Sequence, residues 1–278
     1  LAAAATGARA FTATASAGLA LMHEMLFVTS GCRAPVVMAV ANRALSAPLN
    51  IHGDHSDSMA ERDSGWIQIY AENSQEVYDS IIQAFRIAEN ANVLLPVMFG
   101  LDGFTLSHTL ENVQTLPDDI VNKFVGVRPI PLVTTHEGKT APFTLNPASP
   151  MSMGPIALQN YYFEFKRQQE EAMKNASKTI QQVHEEYAQI GERHYGDGWV
   201  DAYKLEDAET AILCLGSTAG TVKTVVDDLR AEGVKAGMLR IRTFRPFPAE
   251  AIDKALGKAK AVAAMDRSRS VRGNGGAA

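Results

Sequence analysis

Val37-Met-Ala-Val-Ala-Asn-Arg-Ala-Leu-Ser-Ala-Pro-Leu-Asn-Ile-His-Gly-Asp-His-Ser-Asp57 passes without interruption from an apolar strand into a polar loop. The run Val36 to Val40 has the length and continuity of a buried strand. Asn42 and Arg43 then fall where that strand emerges, at the carboxyl edge where open parallel sheets bind their ligands. An arginine at that edge is a fixed cation facing a crevice. Its planar fork of donors matches a carboxylate bidentately, so the acid end of a small metabolite is the natural partner. A structural ion pair is the other role open to it.

The same loop holds His52, Asp54, His55 and Asp57. Imidazole and carboxylate bind zinc or iron, but this spacing offers no helical face to align the rings, and no further ligand follows downstream. A hydrogen-bonded loop is expected instead. Gly53 would supply a positive φ, and Asp54 and Asp57 would accept from nearby backbone amides. Neither iron nor zinc is expected on this chain.

The 278 residues are enough for two domains, or one large one, and the hydrophobic share of 46% is ordinary for a globular α/β protein. No apolar run approaches the roughly 20 residues of a membrane span. A net charge of -5, with lysines and arginines scattered, gives no basic face for nucleic acid. Cys32 and Cys214 are the only cysteines, and no secretory signal is present, so a soluble cytoplasmic protein is expected. Because a cluster of iron and sulfur needs about four thiolates, any such cluster belongs on a partner. Cys214, inside Ala211-Ile-Leu-Cys-Leu215, reads as a small buried hydrophobe. The alanine-rich start at Leu1 and the finish Arg272-Gly-Asn-Gly-Gly-Ala-Ala278 both read as cut ends.

Strands and helices alternate on either side of the opening stretch. Phe11 to Ala15, Trp66 to Tyr70 and Val93 to Phe99 are expected strands, and Leu19 to Phe27, apolar nearly all round, an expected buried helix. Ser74 is expected to cap a helix that places Val77, Ile81, Ile82 and Phe85 on one face, with Glu72 and Glu76 at its positive end. Asp102 to His108 is a second crevice loop. Residues 128 to 155, rich in proline, threonine and glycine, read as irregular. A helix of some ten turns follows from Ala157 to Arg193, with Tyr161, Phe165, Met173, Ile180, Val183, Tyr187 and Ile190 as packing positions. Its length suits an arm that joins two units and offers some surface to another subunit. Beyond Tyr195-Gly-Asp-Gly198 alternation resumes, with strands at Thr210 to Leu215, Gly237 to Arg242 and Ala261 to Met265 and helices at Gly220 to Ala231 and Ala249 to Leu256. Leu215-Gly-Ser-Thr-Ala-Gly220 has the position of a phosphate cradle. It lacks a dinucleotide fingerprint or P-loop lysine, so a tight strand-to-helix turn is favoured. Arg240, Arg242 and Arg245 are expected to be solvated.

These segments resemble the α subunit of the 2-oxoacid:ferredoxin oxidoreductases, most closely the pyruvate:ferredoxin branch. The resemblance rests on Phe11-Thr-Ala-Thr-Ala-Ser16, Asn42-Arg-Ala-Leu-Ser-Ala-Pro48, Gly53-Asp-His-Ser-Asp57, Arg62-Asp-Ser-Gly-Trp66, Glu72-Asn-Ser-Gln-Glu76 and Asp102-Gly-Phe104. It continues through Lys204-Leu-Glu-Asp-Ala208, Gly216-Ser-Thr-Ala-Gly220, Phe244-Arg-Pro-Phe-Pro248 and Met265-Asp-Arg267. The fold it implies is α/β. A thiamine-diphosphate-type pyrimidine domain with a doubly wound sheet would span residues 1–155, its N-terminus truncated, and a long connecting helix 156–195. A smaller transketolase-C-terminal-like domain, its C-terminus truncated, would span 196–278.

The reaction implied is oxidative decarboxylation of a 2-oxoacid with coenzyme A, giving an acyl-CoA, carbon dioxide and reduced ferredoxin, reversibly. Thiamine diphosphate would serve as electron sink, shared with a β-type partner that holds the Mg-diphosphate end. The resemblance also implies γ- and δ-type subunits and [4Fe-4S] clusters on the partners. It aligns Arg43 with the family's arginine for the substrate carboxylate and sets Thr14 and Ser16 against the pyrimidine side of the cofactor pocket. The family's activating glutamate and substrate threonine would precede Leu1, and Glu24 is not promoted in their place. Tyr195-Gly-Asp-Gly-Trp199 opens like a Mg-diphosphate signature, but no paired asparagines follow, so activity is expected only with partner subunits. Pyruvate is the leading substrate. Another 2-oxoacid (2-oxoglutarate, a branched-chain acid, oxalate) and a non-catalytic scaffold subunit remain as alternatives.

Overall fold

The computed structural model describes residues 1–135 and 137–269, so the Arg272 to Ala278 stretch lies outside the described residues. The chain runs α1 (Ala2–Ala5), β1 (Ala10–Thr14), α2 (Ala17–Leu21), α3 (His23–Gly31), β2 (Val36–Asn42), α4 (Ser56–Ala60), β3 (Ile67–Tyr70), α5 (Ser74–Glu89), β4 (Val97–Asp102) and α6 (Asp118–Val125). A small hairpin, β5 (Leu132–Thr134) and β6 (Thr140–Pro142), precedes the long α7 (Tyr162–Gly191). Then come β7 (Val200–Tyr203), β8 (Thr210–Leu215), α8 (Thr218–Ala231), β9 (Ala236–Ile241), β10 (Thr243–Arg245), α9 (Ala249–Leu256) and β11 (Ala261–Ala264).

The first sheet has the order β1-β2-β4-β3-β10, parallel except for β10. Successive side chains of a strand face opposite ways, and the apolar runs use both faces. Val37, Val97, Phe99, Ile67 and Ile69 enter one core with α5 and α7, whereas Val36, Met38, Val40 and Met98 enter another with Leu19, Leu26 and Trp66. A sheet covered on both sides needs continuous apolar strands rather than alternating ones. The second sheet, β11-β8-β9-β7, is smaller and has β7 antiparallel at one edge. Cys214 is fully buried against α8. No helix among the described residues is long and apolar enough to cross a membrane.

Two connections bind the units together. α7 follows the first sheet in sequence and lays Ala172, Ala176, Ile180, Val183 and Tyr187 into its core beside α5. Past β9, the chain crosses to the first sheet within two residues, where Thr243 of β10 pairs with Ile69 of β3.

Several sequence expectations are corrected. The 19–27 segment is two helices, not one buried helix. The chain turns at Met22, whose amide bonds to the Leu19 carbonyl, and Leu21, Met25 and Phe27 face outward while Leu19 and Leu26 meet the sheet. An all-round apolar pattern does not say which side meets the core. The strand expected at Val93 starts at Val97, because Pro96 has no N–H for the ladder and serves only as an acceptor, for Ile67. Asn73, not Ser74, caps α5, accepting the Glu76 amide at 2.9 Å. α7 begins at Tyr162, so Ala157 to Tyr161 are not helical, and Tyr161 and Phe165 are exposed. The β5–β6 hairpin falls in the stretch where no periodicity is visible, and α6, which turns Val121, Phe124 and Val125 to the core, is not among the sequence expectations.

The arginines depart furthest from expectation. Arg240 and Arg242 are fully buried, not solvated. Glu76 accepts from Arg240 Nη1 at 2.6 Å and Nη2 at 3.4 Å, from Arg242 Nε at 2.7 Å and from the Glu72 amide at 2.8 Å. Lys223, Glu72 and Asp201 complete the network. A buried guanidinium survives only where counter-charge is supplied, and here it comes from the first turn of α5. Arg245 is half-buried and donates to the Arg62 carbonyl.

Candidate active site

Strand register brings the expected loops to one place. Thr14 of β1 pairs with Val40 of β2, and Asn42 of β2 pairs with Asp102 of β4, so the carboxyl ends of three adjacent strands open on one edge. Arg43 leaves β2 there and forms an isolated antiparallel bridge with Gly53, which closes residues 44–52 into an excursion over the edge. The Arg43 side chain is half-buried. Its guanidinium has no hydrogen-bond or ion-pair partner among the described residues.

Asp57 fixes the backbone from which Arg43 projects. It accepts from the amides of Ser16 (2.9 Å), Arg43 (3.2 Å) and Ser58 (2.7 Å) and from Asn42 Nδ2 (2.9 Å). Burial pushes its carboxyl pKa up even against the pull of these donors. Asp54 accepts the Ser56 amide at 2.8 Å and starts α4. The loop is therefore held by aspartates accepting backbone amides, as expected. Gly53 is different, because it does not adopt a positive φ. Closeness favours glycine there instead: a Cβ would stand 3.0 Å from Asp102 Cβ and 2.3 Å from Arg267 Nη1, the far end of a flexible side chain.

Ser16 is buried at φ 47°, with its hydroxyl donating to the Ala44 carbonyl at 2.6 Å and its amide to Asp57. Both groups are spent inside the chain, on the Arg43 loop. Thr14 lies half-buried at the end of β1. Among the described residues no group of three or more His, Cys, Asp and Glu is placed to hold a metal ion. His52 is exposed and leans on Phe104 with ring centroids 4.7 Å apart, while His108 stacks on the same ring at 5.3 Å. His55 is completely buried and does not share that surface.

Sequence reasoning missed the centre of the network, Asp102. Its Oδ1 lies 2.6 Å from His55 Nε2, and its Oδ2 accepts both the amide of Ser217 (2.8 Å) and that residue's hydroxyl. Burial alone would raise its pKa, but the His55 ring, the Ser217 hydroxyl and the Arg267 charge outweigh it and hold the carboxyl down at about 2. The start of α8, read as either a phosphate cradle or a tight turn, is a turn in which Asp102 is the bound anion. The available signal was an acid closing an apolar strand at the register of Asn42. Ser58 joins the cluster through Asn42 Nδ2 (2.8 Å) and the Tyr70 hydroxyl (2.7 Å).

Residues 1–185 match the family model described as "Pyruvate flavodoxin/ferredoxin oxidoreductase, thiamine diP-bdg", and 208–278 match "Pyruvate:ferredoxin oxidoreductase core domain II". Among curated proteins, pyruvate synthase subunit PorA of Methanocaldococcus jannaschii is 54% identical over 99% of this chain and 68% of its own length. That of Thermotoga maritima is 50% identical over 96% and 65%. The chain thus spans about two thirds of the relatives it matches. A solved 2-oxoglutarate:ferredoxin oxidoreductase from Magnetococcus marinus, with 2-oxoglutarate, coenzyme A and succinyl-CoA bound, shares the fold. It has a TM-score of 0.63 at 18% identity, covering 98% of this chain and 48% of that one. The edge-of-sheet crevice with its uncommitted arginine lies within the region that the first model covers. On that match and on the identity sustained along the whole chain, this protein belongs to the pyruvate flavodoxin/ferredoxin oxidoreductase family.

Proposed function

We propose that this chain supplies one face of the active site of an enzyme that oxidatively decarboxylates pyruvate with coenzyme A and passes electrons to ferredoxin. The observation that carries the reading is Arg43, a half-buried guanidinium without a protein partner at the carboxyl edge of the sheet, inside the region matched to a thiamine diphosphate-binding family. A cation held there with its donors free suits the carboxylate of a 2-oxoacid. Thiamine diphosphate, when bound, supplies the electron sink that lets the acid lose carbon dioxide. Thr14 borders the pyrimidine side, and Ser16 acts there by fixing Ala44 beneath the Arg43 loop. On this reading residues 1–155 are the pyrimidine domain, 156–195 the connecting helix and 196–278 the transketolase-C-terminal-like domain. The diphosphate, its magnesium and the iron–sulfur clusters lie on β-, γ- and δ-type partners.

The relatives named pyruvate synthase favour pyruvate. A ketoisovalerate oxidoreductase subunit VorA from Pyrococcus horikoshii, 40% identical over 96% of this chain, keeps a branched-chain acid as the second reading. Reconstitution tests both. The purified chain is expected to show no 2-oxoacid-dependent dye reduction until partner subunits are added, and the assembled complex is expected to turn over pyruvate faster than ketoisovalerate or 2-oxoglutarate. Tight thiamine binding or turnover by the lone polypeptide would refute the shared site. A preference for ketoisovalerate would replace the substrate.

A further inference from the structure

We propose that Asp102 is a positioning residue for Arg43, and that through it the second α/β unit sets where the arginine stands. The inference rests on the reading of Arg43 as the substrate-carboxylate contact. Arg43 has no side-chain anchor among the described residues, so its placement depends on its backbone, which the Asp57 carboxylate and the bridge to Gly53 hold. Gly53 in turn lies against Asp102 and Arg267, where a methyl group would make a neighbour shift.

Three contacts converge there from outside the loop. Asp102 holds the His55 ring two residues past Gly53, at 2.6 Å. The His55 amide donates to the Arg267 carbonyl at 3.0 Å, and Arg267 Nη1 donates to the Gly53 carbonyl at 3.4 Å. Arg267 also lies 3.7 Å from Asp102 Oδ2 and donates from Nε to the Thr218 hydroxyl at 3.0 Å. Ser217 and Thr218 begin α8, and Arg267 follows β11, so both partners of Asp102 on that side belong to the second unit. On the strand side, Gly103 passes so close to β2 that its amide bonds to the Asn42 carbonyl at 2.8 Å, and a Cβ on Gly103 would meet Arg43 Cβ at 3.3 Å.

Asp102 therefore lies against Gly53, His55 and Arg267 on one side of the bridge, while Asp57 holds the Arg43 side, and Asp102 is itself 1% exposed. A buried carboxylate with donors on both oxygens holds its neighbours to one geometry. Small displacements of a substrate-positioning group cost disproportionately, up to about 100-fold for about 1 Å. Asparagine at 102 keeps the shape, but it removes the charge that Arg267 faces and replaces an acceptor by a donor.

The experiment is a double-mutant cycle in the assembled complex, with the KM for the 2-oxoacid as readout and thiamine diphosphate affinity as control. Asp102→Asn is expected to raise this KM about 10- to 100-fold with cofactor affinity unchanged. On the Arg43→Ala background the same change is expected to add less than about twofold, because a residue acting through Arg43 has nothing left to act on. An Asp102→Asn effect of equal size with and without Arg43, or no effect on KM at all, would overturn the positioning role and leave the arginine assignment standing. An Arg43→Ala complex with unchanged KM would instead overturn the arginine assignment. Should Asp102→Asn fail to assemble, Arg267→Gln, at a partly exposed position, is expected to give a smaller rise in KM with the same loss of effect on the Arg43→Ala background. Additivity there overturns the proposal equally.

Discussion

Arg43→Ala in the assembled enzyme is expected to lower kcat/KM for the 2-oxoacid by roughly 30-fold to several-thousand-fold while thiamine diphosphate still binds. The range follows from the loss of one partner of a buried, hydrogen-bonded charge pair, about 2–5 kcal/mol, converted at about 1.4 kcal/mol per tenfold. It applies because Arg43 is half-buried and uncommitted, so the alanine variant breaks no internal contact that would unfold the loop. The backbone amide that Asp57 holds at 3.2 Å is retained. Lysine is expected to restore only part of the rate, since a point charge replaces a bidentate fork. An unchanged kcat/KM in the alanine variant would remove Arg43 from the substrate site.

Glu76→Ala should destabilise the fold by about 3–5 kcal/mol, the range for leaving a buried charge without its partner. Glu76 is 0% exposed, and so are the two guanidiniums it faces. In its absence Arg240 retains Glu72 and Asp201 at 3.5 and 3.4 Å, whereas Arg242 retains neutral partners, the Gly198 carbonyl, the Ser80 hydroxyl and the Tyr195 ring. The surface pair Lys139–Glu137 offers the contrast. Both partners are exposed, and Lys139→Ala should change stability by less than about 1 kcal/mol. Denaturant unfolding of the two variants makes the comparison, and equal losses would show that the buried network is not what holds the units together.

Acid should act on the same network. Burial would raise the Glu76 carboxyl, but Arg240 and Arg242 outweigh it and hold it below the ordinary range, as Asp102 is held at about 2. Both pKa values are depressed in the folded state, so the stability they contribute is complete above their unfolded values near about pH 4. It is lost as pH falls through the folded values, which for Asp102 is about 2. The Glu76→Ala variant should therefore show a shallower decline in stability across that window.

Much of the fold and part of the site could be read directly from the chain. The apolar runs of β2 and β8, the amphipathic pattern of α5 and the long α7 are local signals, since burial on two faces, one face or one stripe leaves its own period in the sequence. Arg43 was legible for the same reason, as a polar residue closing an apolar strand. Asp102 carries the same mark, but its role does not show in the chain, because its partners His55, Ser217 and Arg267 lie far away in it. Arg240 and Arg242 looked like surface charges, since the acid that neutralises them is 164 and 166 residues distant. The crossing of β10 into the first sheet likewise follows from pairing with β3, not from anything periodic in Thr243–Arg245. The sequence by itself determined the longer strands and helices and where a ligand edge lies, because hydrophobic periodicity is a local property. Which charges are buried, which loops are tied together and how the two units lock were decided by tertiary structure alone, because an ion pair or a hydrogen bond needs only proximity in space and leaves no spacing in the chain.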